Sequence, residues 1–179
     1  MAEILFYYPV ATLLDKIKMH SGMVARMIPE GTEKYAISTD ETTWFHSEMD
    51  RNIREVFGIV QKLAAGIVDA LIFNQPSTIG GADHRYGFYV NNNDAINENS
   101  VRVIDGYFEK LIVAMLLNAW WLKCGLADQY KISLAEIQAI RSDLNNSLFA
   151  LYKTAPTGIV TSQNTGVELD VETGVESDL

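Results

Sequence analysis

The chain has 179 residues, 48% of them hydrophobic and 21% charged, a globular balance that excludes wholesale disorder and allows one domain with a sizeable core. Its fourteen Lys and Arg are scattered among twenty-three acids, for a net charge of −9, which argues against gripping nucleic acid through its phosphates. Five of the acids and no base lie from Thr157 onward, so the rest of the chain carries −4, and walls that weakly acidic would let a DNA duplex slide past without sticking.

The lone Cys124 leaves no internal disulfide and fits a reducing compartment, with packing as its expected role. The opening MAEILFYYPVATLLDK lacks the basic start and long apolar stretch of a signal peptide. No later segment supplies the ~20 apolar residues of a membrane span, and the expectation is a protein made in a cytoplasm.

Glu3 to Tyr8 is a short apolar and aromatic run stopped by Pro9, readable as a strand or an extended arm. A small helix is expected next, with Leu13, Leu14 and Ile17 on one side and Ser21-Gly22 as its stop. Met23, Val24, Met27 and Ile28 form another apolar patch, and methionines there suit either adaptable packing or a surface that meets a partner. Pro29-Glu30-Gly31 is turn chemistry.

Ser38-x-x-Glu41 has the form of a capping box and opens the longest periodic segment. Phe45, Met49, Ile53, Val56, Val60, Leu63, Ile67 and Ala70 alternate steps of four and three, which predicts an amphipathic helix reaching about Phe73. Asp50 with Arg54, and Arg51 with Glu55, have the spacing of ion pairs on its outer face. Gly58 and Gly66 would each cost roughly 1 kcal/mol there, offset by a close approach of another backbone or spent in a mild bend.

Asn74 to Asn99 is rich in Gly, Asn, Pro and Asp and reads as a long loop, with Tyr86 to Val90 as a strand or one arm of a hairpin within it. It serves equally as a variable surface loop or as a reach toward a partner or channel. The segment SVRVIDGYFEKLIVAMLLNAWWLKCG, Ser100 to Gly125, is then the centre of the fold. Val101, Ile104, Phe108, Leu111, Met115, Asn118 and Leu122 mark one helix face, but between Leu111 and Leu122 only Asn118 is polar, so the helix must be covered on several sides. Trp120 and Trp121 point about 100° apart on a helix, which requires either two helices of the same chain or a neighbouring subunit to bury them. The expectation is that one of the two lies at a subunit contact.

Gly125 stops the central helix, and a second capping box, Ser133-x-x-Glu136, is expected to open a last helix with Leu134, Ile137, Ile140, Leu144, Leu148 and Leu151 inward. Beyond Pro156 the composition is Thr, Ser, Gly, Asn, Val and acids, too poor in apolar surface to order itself. Val160, Val167, Leu169 and Val171 could let this arm lie extended along a neighbouring chain. The expected organisation is a mostly α chain: a helical domain over residues 1–156 with a long amphipathic helix, a central apolar helix and a C-terminal helical hairpin, an extended N-terminal arm, one long irregular or hairpin-containing loop, and an extended acidic C-terminal arm over 157–179.

Catalytic, metal and cofactor signatures do not emerge. His20, His46 and His84 are far apart, and His46 with Asp50 offers two metal ligands where more are needed. Ile79-Gly80-Gly81-Ala82 lacks the Lys and spaced glycines of a phosphate loop. The expectation is a non-enzymatic protein without cofactor or metal.

A short helical start, a long helix, a long loop, a helical hairpin and a trailing arm together resemble the layout of head-to-tail connector (adaptor) proteins of tailed bacteriophages. The hairpin YFEKLIVAMLLNAWWLKCGLADQYKISLAEIQAIRSDLNNSLFALYKTAP is the part that most resembles phage structural proteins, and the likeness covers roughly two-thirds of the chain in layout. It implies a virion structural protein at the head–tail junction, in a homo-oligomeric ring of about twelve copies, bound to the portal and further connector or tail proteins, with DNA passing through unbound. The alternatives are an intracellular oligomeric helical module with a regulatory role, or a small helical enzyme or ligand-binding bundle using Cys124, His46 or His84.

Overall fold

The computed structural model describes residues 2–28, 32–63, 68–76, 83–92 and 98–148, and within them the chain is mostly helical with one small sheet. The elements run β1 (Ala2–Pro9), α1 (Val10–Met27), α2 (Thr32–Tyr35), a 3-10 turn at Thr39–Glu41, α3 (Thr42–Leu63), β2 (Val68–Pro76), β3 (His84–Asn92), α4 (Glu98–Cys124) and α5 (Ala127–Leu148). The sheet is antiparallel in the order β1-β3-β2.

The central helix is where its apolar character demanded. Ile104, Phe108, Leu111, Ile112, Leu116 and Trp120 are all buried, and α1, α2, α3 and α5 each pack against α4. Its sheet-facing end carries Phe108, which meets Phe6 of β1 and Phe88 of β3 edge-on at 5.3 and 5.4 Å, while Phe6 and Phe88 stack at 5.2 Å. Alternation explains the strands: Phe6 and Tyr8, like Tyr86, Phe88 and Val90, point to the helices, while Glu3 and Tyr7 face outward. Gly87 sits opposite Tyr7, and a Cβ there would run into the Phe6 carbonyl oxygen. No larger residue fits that crossing.

Three ion pairs tie the helices from outside the core: Lys16 of α1 with Glu109 of α4, Glu41 with Lys123 of α4, and Glu55 of α3 with Arg141 of α5. Each is at least partly exposed, so their value is register more than stability.

The α4–α5 turn is a Schellman motif. Gly125 takes φ +73°, its N–H donates to the Leu122 carbonyl at 3.1 Å, and the Leu126 N–H donates to the Trp121 carbonyl at 2.9 Å. Asn118, the one polar residue of the apolar run, clamps the hairpin: its Nδ2 donates to the Tyr130 carbonyl at 3.0 Å and to Ser133 Oγ at 2.8 Å.

Several expectations are corrected. α3 ends at Leu63, and Val68 to Phe73, expected as its last turns, belong to strand β2. The stretch expected as a loop from Asn74 contains the end of β2 and all of β3, so the Tyr86 to Val90 strand is longer than anticipated. α1 does not stop at Ser21-Gly22 but runs to Met27, because the Ser21 hydroxyl is buried and satisfied, donating to the Lys18 carbonyl at 3.2 Å and accepting from the Ile37 N–H at 3.1 Å. Ser133 is no cap: α5 opens at Ala127 directly after the Schellman turn. Ser38 caps only the 3-10 turn, accepting from the Asp40 N–H at 3.3 Å, while Glu41 goes to Lys123. Arg51 pairs with Glu48 and Arg54 lies over the Phe73 ring at 4.5 Å, in place of the partners expected for them. No backbone closes on Gly58; Gly66 and the arm from Thr157 lie outside the described residues.

Candidate functional site

Both Trp120 and Trp121 are 3% exposed, so the same-chain alternative holds and neither ring is free for a neighbouring subunit. Trp120 turns toward α2 and α3: its Nε1 donates to the Tyr35 carbonyl at 2.7 Å, and its ring meets Trp44 edge-on at 5.1 Å. The Lys123 ammonium sits 5.0 Å from the Trp120 ring and 5.5 Å from that of Trp44, completing a cation–π clasp. Trp121 turns the other way and, with Leu126 and Tyr130, lines a small apolar hollow of about 170 Å³ at the α4–α5 turn. Cys124 stands nearby, half-buried, and burial pushes its thiol pKa up against the pull of Lys123 and Lys34. That direction favours the thiol over the thiolate.

A polar cluster joins α3 to the sheet. His46 Nδ1 and the Tyr86 hydroxyl are hydrogen-bonded at 2.8 Å, Asp50 stands one turn along α3 from His46, and His84 on β3 bonds Asn74 at 2.7 Å through Nδ1. Burial and then the charge of Asp50 raise the Tyr86 hydroxyl well above its ordinary pKa. Burial and then the charge of His84 lower His46, opposed by Asp50. A neutral imidazole against an un-ionised phenol makes a structural latch. No group of three or more His, Cys, Asp or Glu among the described residues is placed to hold a metal ion.

A second pair joins the buried Tyr8 of β1 to the half-buried Asp105 of α4. Burial pushes the Asp105 carboxyl up, the Tyr8 hydroxyl opposes this, and Glu109 adds to it. The Tyr8 hydroxyl is itself raised by burial and by Asp105.

The outer side of α1 is the conspicuous surface. Met19, Met23 and Met27 recur every four residues and are 58%, 53% and 77% exposed. Met19, at one end of the row, lines a groove of about 370 Å³ between α1, α4 and α5, with Val113, Ala114 and Leu117 also in its lining and Lys16, Lys110 and Glu136 at its sides. Val103, Leu122 and Ile132 are further exposed apolar side chains on α4 and α5.

No family model, curated protein or solved structure matches the chain.

Of the residues expected at contacts, the tryptophans are core, and Val160, Val167, Leu169 and Val171 lie outside the described residues. The methionine row was half visible in sequence: Met23 and Met27 stood out as a patch, but Met19 was separated from them by the expected helix stop. Once α1 is continuous, the four-residue spacing is the signal. Among the described residues no helix is long and apolar enough to cross a membrane.

Proposed function

We propose that the chain is a non-enzymatic virion structural protein, a subunit of an oligomeric ring of about twelve copies that joins head to tail at the portal and surrounds the DNA channel. The observation that carries the reading is the distribution of exposed apolar side chains. A ring subunit meets its two neighbours through unlike surfaces, and this chain offers the methionine row on α1 as well as Val103 and Leu122 toward opposite ends of α4, about 28 Å apart along the helix axis. Supporting it further is the layout, a helical core with a small sheet followed by an acidic segment, and a body in which several basic residues are engaged in ion pairs, such as Lys123 with Glu41 and Arg141 with Glu55. Such a wall leaves DNA free to move.

The reading is tested by the composition of purified particles. Virions recovered from a culture that carries the gene should contain peptides of this chain together with portal and tail proteins, and particles lacking tails should retain or lose it with the portal. Complete virions in which portal and tail proteins are found and this chain is not would contradict the assignment.

A further inference from the structure

The methionine row exposes apolar side chains to water, and among the described long helices α1 alone has a net positive charge: Lys16, Lys18 and Arg26 stand against Asp15 in an otherwise acidic protein. Three methionines four residues apart are more than scattered surface apolarity, and their flexible thioethers adapt to whatever chain covers them. The occupant they fit is apolar on one side and acidic on the other.

The chain itself contains such a segment. Val167-Glu168-Leu169-Asp170-Val171-Glu172 alternates apolar and acidic residues, within a stretch from Thr157 to Leu179 that has five acids and no base. We propose that this acidic arm of a neighbouring copy lies extended along the exposed methionine row of α1, with Val167, Leu169 and Val171 seated against Met19, Met23 and Met27 and one end of the contact at the α1–α4 groove that Met19 lines. The inference rests on the assembly reading above and deepens it by naming the two surfaces that meet.

Spacing supports the match. Side chains two apart on an extended chain repeat every ~6.7 Å, and side chains four apart on a helix repeat every ~6 Å, so three successive apolar contacts stay in register. At the Met19 end, Val113, Ala114 and Leu117 add an apolar floor. With the apolar side turned inward, Glu168, Asp170 and Glu172 are left toward solvent, in the field of Lys110 and Arg26, both exposed. Glu136 opposes them and Lys16 is already engaged by Glu109, so the net attraction is modest. Charge acting over that distance is screened within ~8 Å at physiological salt, and the contact weakens as salt rises.

The test uses two full-length variants. One replaces Val167, Leu169 and Val171 by Ser and keeps the methionine row; the other carries Met19→Asp, Met23→Asp and Met27→Asp, at exposed positions that spare the core, and keeps the arm. Circular dichroism first establishes that both retain the wild-type helical content. Each alone should self-associate at least about tenfold more weakly than wild type in sedimentation velocity. An equimolar mixture should recover a one-to-one complex, because one variant supplies the arm and the other the methionine row. Recovery that fades with added salt completes the expected result. Wild-type-like association of either variant alone overturns the proposal, and so does a mixture that stays unpaired, since an arm docked on its own subunit cannot be complemented. Failure of the ring reading looks different: paired variants and a wild type that stops at two copies would keep the arm contact and remove the ring.

Discussion

At the scale of single residues, two glycines separate crowding from propensity. Gly87 of β3 has the Phe6 carbonyl where a Cβ would go, whereas Gly58 of α3 has no neighbouring atom within 4 Å. Gly87→Ala should therefore force β1 off β3 and lower stability by several kcal/mol, in the manner of an overpacked core. Gly58→Ala should raise stability by about 0.5–1 kcal/mol through helix propensity alone. Urea unfolding of both variants checks the pair, and a harmless Gly87→Ala would mean that β1 is not held against β3 as described. The His46 latch makes a second prediction. Its pKa is lowered in the fold, chiefly by burial, so the unfolded chain takes up a proton at higher pH than the folded one. Stability should then rise with pH through the range just below about 6.5 and level off above it. His46→Gln should flatten that rise; unfolding midpoints between about pH 5 and pH 8 that climb equally in both proteins would remove His46 from the latch.

At the scale of elements, α4 is the support on which the others rest. Leu116 is fully buried in it, and Leu116→Ala should cost about 2–5 kcal/mol, with a loss below about 1 kcal/mol placing that position at the surface. α4 and its turn into α5 were the most legible part of the sequence, because an apolar run with a terminal Gly has one economical reading, covered on several sides and turned at Gly125, whereas the clamp at Asn118 shows only once α5 is in place. The 3.6-residue period of Phe45, Met49, Ile53, Val56 and Val60 located α3 equally well. β2 was misread for a physical reason. Ile67 and Ala70 extend the helical stripe, and a short apolar run such as Ala70 to Phe73 has no period of its own to distinguish strand from helix. Only pairing with β3 decides it, and pairing is a tertiary fact. The same holds for the latch: His46 and Asp50 were visible as neighbours on one helix face, but Tyr86 is 40 residues from His46 and joins it only through the sheet.

At the scale of the whole molecule, the buried tryptophans move the account of assembly away from where sequence placed it. Two adjacent aromatic residues suggested that one of them meets a neighbouring subunit, yet the helix bundle takes one on each side, Trp120 at Tyr35 and Trp44, Trp121 at the hairpin turn. Trp120→Phe, which loses the bond to the Tyr35 carbonyl while keeping most of the ring volume, should lower subunit stability by about 1 kcal/mol and leave association unchanged. The surfaces left for neighbours are the methionine row of α1 and the exposed apolar residues toward the ends of α4, and these carry the proposal that the chain is a ring subunit. Native mass spectrometry of the purified full-length protein, at micromolar concentration and low salt, tests that claim most directly. For a 20.0 kDa subunit the account predicts a dominant closed assembly near about 240 kDa, a ring of about twelve, in balance with free subunits. A protein that remains at the mass of one subunit, or stops at two or four under the same conditions and in the presence of portal protein, would contradict it.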